Sequence, residues 1–168
     1  MISTDPGQTA WYFSPSDDAQ AALLGVVTAE QEELCVEAYS LTLPAFVAAL
    51  KANHDRGLAQ LVLADESQFH STPEDRAAVQ ELIGYGIPTL VGTTPSGDIL
   101  HAKVLLGKSQ AAVWSGSYNF SPSAARESNT SSLCYSGLVW TAMRADFETK
   151  WQWVQANVPQ SQFTRRAA

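Results

Sequence analysis

The 168-residue chain lacks the features that mark disulfide-bonded, secreted and membrane-spanning proteins. Its two cysteines, Cys35 and Cys134, each lie in an apolar, strand-like run, which indicates buried free thiols rather than a disulfide or a metal pair. No apolar run approaches the ~20 residues that cross a membrane. The N-terminus has no basic segment and no long apolar run, so we expect no signal peptide and a cytoplasmic location.

Basic residues are also scarce. The chain has 10 Lys and Arg against 17 Asp and Glu, which gives a formal net charge of −7. Proteins that bind nucleic acid usually carry a basic surface, so weak non-specific affinity for long duplexes is expected. Residues 99–126 are an exception, because they include Lys103, Lys108 and Arg126 but no Asp or Glu. This stretch can be locally positive on an otherwise acidic protein.

Alternating apolar strands and amphipathic helices predict an α/β fold in a single domain. Strands are predicted at 11–13, 34–39, 58–63, 87–91, 99–106, 111–115 and 129–135. Helices are predicted at 17–28 with Ser16 as N-cap, from Thr42 as cap to Arg56 with Pro44 in the first turn, from Thr72 to Gly84 or Gly86, along 139–154, and as a short segment at 121–125. The early strand–helix alternation and the later hairpin predict a mixed, mostly parallel β-sheet flanked by helices on both faces.

The domain is expected to span residues 11–157. Residues 1–10 are polar and contain Pro6 and Gly7, which indicates a flexible lead-in. Residues 158–168 follow the last helix as a C-terminal tail, which we expect to be frayed from Gln160 onward.

Residues 100–129 carry the groups needed to hold and attack a phosphodiester. His101 and Lys103 are two residues apart, so in a strand their side chains lie on the same face. Histidine titrates near neutrality and can attack phosphorus or shuttle a proton. After the next apolar run, Ser117 and Asn119 add a hydroxyl and a carboxamide. We expect Lys103 and Asn119 to hold the non-bridging oxygens, where charge accumulates in the transition state, and Ser117 to support phosphate binding.

The pattern His-x-Lys followed by Gly-Ser-x-Asn resembles that of the phospholipase D superfamily. Its residues here are His101, Lys103, Gly116, Ser117 and Asn119, and the family's later acidic residue and Asn are matched by Glu127 and Asn129. The resemblance covers residues 10–156 and includes the segments 12–15, 38–42 and 86–88. It implies a phospholipase D-like fold and a phosphodiesterase that needs no metal and no cofactor, since Lys103 supplies the positive charge.

Glu127 is the candidate carboxylate for the second ring nitrogen of His101, where it would fix the tautomer and stabilise the cationic form. It can equally be a solvated surface charge. The remaining candidates are Gly116, Asn129, Lys108 and Arg126. Lys108 and Arg126 are typical of solvated positions, and Lys108 stands where the family usually carries an Asp that is generally structural.

One chain places a single histidine in this motif, whereas the reaction needs two if one attacks while the other protonates the leaving oxygen. A two-fold dimer would place two copies of the site face to face. The resemblance to the family's single-motif members implies this arrangement, with one phosphohistidine and a partner histidine that acts as acid. In a longer, double-motif protein a further domain would supply the second histidine instead.

The leading hypothesis is a homodimeric nuclease, similar to the small bacterial endonucleases of the family, that acts on single-stranded DNA or RNA. One alternative is a phospholipase D or phosphatidyltransferase that acts on phospholipid. It would require an apolar rim or an interfacial helix near the site, and no strongly basic amphipathic helix is visible. The other alternative is a phosphate-binding module without turnover, which Lys108 and the acidic net charge favour.

Overall fold

The structure, a computed structural model, describes residues 8–164 as seven strands and five helices. The strands are β1 Thr9–Ser14, β2 Glu33–Ala38, β3 Ala59–Asp65, β4 Thr89–Gly92, β5 Lys103–Gly107, β6 Ala112–Gly116 and β7 Asn129–Tyr135. The helices are α1 Ala19–Ala29, α2 Pro44–Asp55, α3 Glu66–Ser71, α4 Pro73–Tyr85 and α5 Gly137–Asn157, followed by a 3-10 turn at Gln160–Gln162. Residues 1–7 of the predicted lead-in and 165–168 of the predicted tail lie outside the described residues.

The strands form one mixed sheet in the order β1-β7-β6-β5-β2-β3-β4. This confirms the predicted α/β class and the mixed sheet. β5 and β7 run opposite to the other five strands, so parallel pairing is confined to β2–β3 and β3–β4. The reason is that the strand–helix–strand connections, which give parallel neighbours, stop at β4. Residues 93–102 then connect β4 to β5 in the opposite direction, and the hairpin of β5 and β6 reverses the chain again.

Helices cover both faces of the sheet, as predicted. On one face, α1, α2 and α4 enclose a core that includes Leu105 of β5 and Trp114 of β6. On the other face, α5 packs Phe147 and Val154 against a core that includes Val113. Val113 and Trp114 are neighbours in β6 and therefore point to opposite faces. The central strands are apolar on both sides because both sides are covered.

Short-range signals set the helix ends. The N-cap of α1 is Asp18, whose carboxylate accepts a hydrogen bond from Ala21 N at 2.9 Å, so the predicted cap at Ser16 is wrong and the helix begins later. Pro44 occupies the first turn of α2, as predicted, where its missing N–H costs nothing. The N-cap is Leu43 and makes no side-chain cap hydrogen bond, so the predicted cap at Thr42 is wrong. Gly86 ends α4 in the left-handed conformation, with φ 93°.

Three segments differ from the sequence predictions. Helix α3 was not predicted, because this short polar segment buries only Phe69 and shows no periodicity. Residues 121–125 form turns rather than a helix. The expected fraying from Gln160 is wrong as far as residue 164, since Phe163 is fully buried and its ring lies 5.1 Å from the Phe69 ring.

Candidate active site

One end of the sheet collects most of the residues singled out from the sequence. Lys103 opens β5, Gly116 closes β6 and Asn129 opens β7. His101 precedes β5 and Ser117 follows β6. Antiparallel pairing of β6 with both β5 and β7 brings these strand ends together, next to the carboxyl ends of β2 and β3. In open α/β sheets this is the edge at which ligands usually bind.

Tyr39, the residue after β2, contacts the side chains of both His101 and Lys103. Its ring centroid lies 4.5 Å from that of the His101 ring, at an interplanar angle of 64°. Lys103 Nζ lies 4.4 Å from the same Tyr39 centroid and donates a hydrogen bond to the His101 carbonyl at 2.6 Å. The two side chains therefore share one side of the chain, as predicted, although the strand begins only at Lys103. The His101 side chain is exposed, whereas Lys103 is only 4% exposed.

Burial changes the acid–base behaviour of Lys103. Removal from water disfavours the ammonium form and lowers the pKa of Lys103 from 10.5 to about 8, and the nearby Asp65 carboxylate opposes this effect. Lys103 is therefore cationic at neutral pH but poorly solvated. An anionic ligand that reached it would restore the stabilisation that water otherwise gives to the charge.

Asp65, at the end of β3, fixes the segment that carries His101. Its Oδ2 accepts a hydrogen bond from Leu100 N at 2.7 Å, and its Oδ1 caps α3 by accepting from Gln68 N at 2.9 Å. Gln68 Nε2 donates to the Tyr39 hydroxyl at 2.9 Å. A connected set of hydrogen bonds thus runs from the backbone just before His101, through Asp65 and Gln68, to Tyr39.

Gly116 and Ser117 lie directly against β7. A Cβ atom at Gly116 would overlap the Thr130 carbonyl and lie 2.5 Å from Ser131 Cα, so this close approach requires glycine. Ser117 N donates to the Thr130 carbonyl at 2.9 Å, and Ser117 Oγ donates to Asn129 Oδ1 at 3.0 Å. The Ser117 hydroxyl therefore anchors the β6–β7 edge, and its role in phosphate binding stays a prediction.

Asn119 lies in a cleft of about 510 Å³ that Tyr39 also lines. The backbone around Asn119 is held by Phe120, whose N–H donates to the Ser40 carbonyl at 3.2 Å and whose carbonyl accepts from Thr42 N at 2.8 Å. Within residues 8–164, the buried Oδ1 of Asn119 has no hydrogen-bond partner. The other polar side chains that line the cleft include Gln68, Thr72, Ser121 and Arg126. Glu74 adds a carboxylate to the lining. The cleft is therefore suited to a polar ligand, and Tyr39, which contacts His101, forms part of its wall.

Arg126 and Glu127 lie at the end of the turn that precedes β7. Ser14 Oγ ties this turn down by donating to the Ala124 carbonyl at 3.0 Å and to the Glu127 carbonyl at 2.7 Å. Arg126 faces the cleft, whereas the Glu127 side chain is exposed. Among the described residues, the Glu127 carboxylate makes no hydrogen bond or ion pair. The structure therefore does not bring Glu127 to His101 within one chain.

Lys108 lies at the opposite end of β5 from His101. A strand rises about 3.3 Å per residue, so the two ends of β5 are roughly 15 Å apart. Lys108 pairs with Glu32 at 3.1 Å on the surface. The adjoining turn is held by the buried carboxylate of Glu30, which accepts a hydrogen bond from Ser109 N at 3.0 Å. The departure from the family pattern at Lys108 thus lies outside the site.

Sequence reasoning missed three residues of the site: Tyr39, Asp65 and Gln68. Tyr39 and Asp65 each stand at the carboxyl end of an apolar strand, and a polar residue at that position is a usable signal in an α/β sheet. Gln68 belongs to the unpredicted helix α3, and no local signal marks it.

Other features of the described chain bear on the site's chemistry. Residues 8–164 contain no cluster of three or more His, Cys, Asp or Glu side chains that could hold a metal ion. Over the same range, no helix has both the length and the apolar character to cross a bilayer. Cys35 and Cys134 are both free thiols. Cys35 is buried, as predicted, whereas Cys134 on β7 is only partly buried, and burial raises the pKa of Cys35 to about 12.

The family model described as "Cardiolipin synthase, PLD-like domain" matches residues 27–151, which is most of the chain. The chain therefore belongs to the phospholipase D-like family, whose members are phosphodiesterases. No protein with a curated description matches the sequence.

Solved structures share the fold. The phospholipase D family member Nuc from Salmonella typhimurium is 22% identical, with a TM-score of 0.78, over 86% of this chain and 94% of that one. NucT from Helicobacter pylori is 18% identical, with a TM-score of 0.75, over 86% and 96%. A phosphatidylserine synthase from Haemophilus influenzae is 11% identical, with a TM-score of 0.68, over 88% of this chain and 38% of that one. At these identities the likeness concerns the fold alone.

Proposed function

We propose that the chain is a metal-independent nuclease that forms a phosphohistidine at His101, in a site completed by a second copy of the chain. The observation that carries this proposal is the packing of an exposed imidazole and a buried ammonium against one ring, that of Tyr39. His101 would then be a nucleophile next to the poorly solvated cation of Lys103. In a phosphodiester, the electrophilic phosphorus would react with His101, and the anionic oxygens would bind Lys103.

In the first step, a ring nitrogen of His101 attacks phosphorus. A P–N bond forms, the P–O bond to the leaving group breaks, and the departing oxygen takes a proton from the His101 of the second copy. In the second step, water attacks the phosphohistidine, and the second histidine removes a proton from that water. The P–N bond breaks and His101 is restored. Each histidine ends as it began, so the cycle balances.

Lys103 and Asn119 are proposed to bind the non-bridging oxygens. Lys103 would supply the positive charge that a metal ion supplies in many other phosphodiesterases. Asn119 would use its amide N–H groups, since its buried Oδ1 cannot donate. Tyr39, rather than Glu127, is proposed to hold the His101 ring, because Glu127 makes no contact with His101 within one chain. We assign no step to Glu127, Arg126 or Lys108.

Nucleic acid is the proposed substrate because of the polar cleft that Tyr39 lines. Its polar side chains include Gln68, Thr72, Glu74 and Arg126. Glu74 can accept a hydrogen bond from a sugar hydroxyl or a base amino group, and Arg126 can pair with a neighbouring phosphate, so the lining suits a nucleotide better than an acyl chain. The shared fold also covers 94% of Nuc and 96% of NucT. Single-stranded DNA or RNA is favoured over long duplexes, since the net charge of −7 opposes binding to a dense phosphate array.

A second candidate function has one observation in its favour. Trp11 and Phe13 are 59% and 51% exposed on β1, close to the end of the sheet that carries the site. Exposed aromatic side chains beside a phosphodiester site are what a lipid-cleaving phospholipase D or phosphatidyltransferase would need at a membrane surface.

The test is cleavage of an end-labelled single-stranded oligonucleotide in the presence of EDTA. The wild type and a His70→Ala control, which removes an exposed histidine on α3, should both cleave. His101→Ala should lose at least roughly 1,000-fold in rate, because the nucleophile is gone. Cleavage by His101→Ala at the wild-type rate would refute the proposal. A wild type that is inert on oligonucleotides but releases the headgroup from phospholipid vesicles would favour the lipid function instead.

A further inference from the structure

Residues 39–42, which follow β2 and are called the exit segment below, contact the His-x-Lys half of the motif on one side. Tyr39 N donates a hydrogen bond to the Ala102 carbonyl at 3.0 Å. Ala102 stands between His101 and Lys103, so this hydrogen bond fixes the backbone that carries both side chains. The Tyr39 ring adds its contacts with the same two side chains.

On its other side, the exit segment contacts the backbone next to Asn119. The Ser40 carbonyl accepts a hydrogen bond from Phe120 N at 3.2 Å, and Thr42 N donates to the Phe120 carbonyl at 2.8 Å. The exit segment therefore lies between the two halves of the motif and is bonded to both. Its position sets the position of Asn119 relative to the His-x-Lys half.

Asp75, which belongs to the first turn of α4, holds the middle of the exit segment. Its Oδ1 accepts a hydrogen bond from Leu41 N at 2.6 Å, and its Oδ2 accepts one from Ser40 Oγ at 3.0 Å. Asp75 is only 2% exposed. Burial raises the pKa of Asp75, and the hydrogen bonds from Leu41 and Ser40 oppose this rise. The buried carboxylate thus depends on two donors that both belong to the exit segment.

The start of helix α4 does not account for this use of Asp75. An acidic side chain at the third position of a helix can bond back to the N–H of the N-cap residue. Here the N-cap is Thr72, and its N–H donates to the Gln68 carbonyl at 2.9 Å instead. Glu74, in the same turn, already places an exposed carboxylate at the positive end of the helix. Both oxygens of Asp75 are used outside the helix, on the segment that joins the two halves of the site.

We infer that Asp75 is a positioning residue, which holds the exit segment and thereby fixes Asn119 relative to His101 and Lys103. This inference rests on the proposed function, in which Asn119 and Lys103 bind the oxygens of one phosphate. Without the Asp75 carboxylate, Leu41 N and Ser40 Oγ would lose their partner, and the segment would have to move to satisfy them. A displacement of about 1 Å between catalytic groups is enough to slow a reaction roughly 100-fold.

The test compares the wild type with Asp75→Ala in two measurements. The first is amide hydrogen exchange at Tyr39 N and Phe120 N, recorded without substrate and divided by the exchange of core amides in β2, which report global unfolding. This ratio should rise at least roughly 10-fold in Asp75→Ala. The second is oligonucleotide cleavage in EDTA. We expect kcat to fall at least roughly 10-fold while KM stays within about 3-fold, because the displaced groups act in the transition state.

Two variants separate positioning from general stability. Leu82→Ala removes a fully buried side chain from the same helix, about 10 Å further along it, and destabilises the fold at least as much as Asp75→Ala. Its exchange ratio and its kcat should both stay within about 3-fold of the wild type. Asp75→Asn keeps an acceptor for Leu41 N and a donor for Ser40 Oγ. It should restore both quantities to within about 5-fold of the wild type.

The inference is overturned if Asp75→Ala leaves the exchange ratio unchanged, or raises the ratio while kcat stays at the wild-type value. Equal losses of kcat in Asp75→Ala and Leu82→Ala would also overturn it, since the effect would then be one of stability. A wild type that cleaves no oligonucleotide refutes the proposed function instead. The exchange ratio needs no substrate, so it would still decide whether Asp75 holds the exit segment.

Discussion

The ring of Tyr39 contacts both His101, the proposed nucleophile, and the buried cation of Lys103. The His101 ring meets it edge-on at a centroid separation of 4.5 Å, and Lys103 Nζ lies 4.4 Å from its centroid. A cation over a ring in a desolvated position is stabilised by about 2 kcal/mol. One side chain therefore sets the relative positions of the two groups that the proposed chemistry requires.

Replacement of Tyr39 should separate the role of the ring from that of its hydroxyl. Tyr39→Leu removes the surface against which His101 and Lys103 pack, and we expect kcat to fall roughly 100-fold, as for other losses of catalytic geometry. Tyr39→Phe keeps the ring and loses only the hydrogen bond from Gln68, so kcat should stay within about 5-fold of the wild type. Equal losses in the two variants, measured as oligonucleotide cleavage, would contradict the role given to the ring.

The rate should depend on pH through Lys103. Burial lowers the pKa of Lys103 to about 8, so the ammonium form is lost as pH rises through that value. We expect kcat/KM, which reports the free enzyme, to fall about tenfold per pH unit above pH 8.

Asp65→Asn provides the control for this assignment. The Asp65 carboxylate raises the pKa of Lys103, so its neutralisation should lower that pKa further and move the alkaline limb of the profile to lower pH. Asparagine retains a carbonyl that can accept from Leu100 N or Gln68 N. An alkaline limb at the same pH in both proteins would mean that another group controls it.

Gly116→Ala should destabilise the fold. Its Cβ would overlap the Thr130 carbonyl, and we expect the free energy of unfolding to fall by about 1–3 kcal/mol, as for other overpacked positions. The control is Gly137→Ala at the start of α5, where a Cβ meets nothing within 4 Å. That variant should be neutral or slightly more stable. Urea denaturation of the two variants measures the difference, and equal stabilities would contradict the close approach of β6 to β7.

Glu127→Gln and Lys108→Ala should each leave kcat within about 3-fold of the wild type, the range expected for exposed surface positions. The Glu127 carboxylate contacts no site residue within one chain, and Lys108 pairs with Glu32 at the far end of β5. Oligonucleotide cleavage measures both. A large loss for Glu127→Gln would mean that its carboxylate reaches a histidine of the second copy in the proposed dimer, and would support the orienting role that the sequence predicts.

Much of the fold could be read from local sequence. The period-2 and period-3.6 patterns located every strand and the four longer helices, and β7 was predicted with its observed bounds, Asn129–Tyr135. The sequence patterns did not predict segments whose structure depends on packing against residues far away in the sequence. Helix α3 is short and polar, so it has no periodic pattern of its own. Phe163 is buried by packing against Phe69, which is distant from it in the sequence. The strand before the hairpin starts at Lys103 rather than residue 99, because pairing with β2 ends there.

The same limit applies to the site. The two-residue spacing of His101 and Lys103 was sufficient to predict that they lie on one side, and their shared contact with Tyr39 agrees with this. The spacing could not reveal Tyr39 or Asp65, since both reach the site from other strands. The spacing also could not show that the Glu127 side chain is exposed to solvent. Its orientation depends on the hydrogen bond that the distant Ser14 hydroxyl donates to the Glu127 carbonyl.

The central claim is a covalent phosphohistidine at His101, and trapping that intermediate tests it most directly. Wild-type protein would be mixed with an excess of labelled single-stranded oligonucleotide in EDTA, quenched with detergent at alkaline pH, digested, and mapped by mass spectrometry. The account predicts a nucleotide adduct on the peptide that contains His101, labile to acid, formed and lost at the rate of turnover, and absent in His101→Ala. Turnover by the wild type with no adduct at any time, or an adduct on another residue, would contradict it.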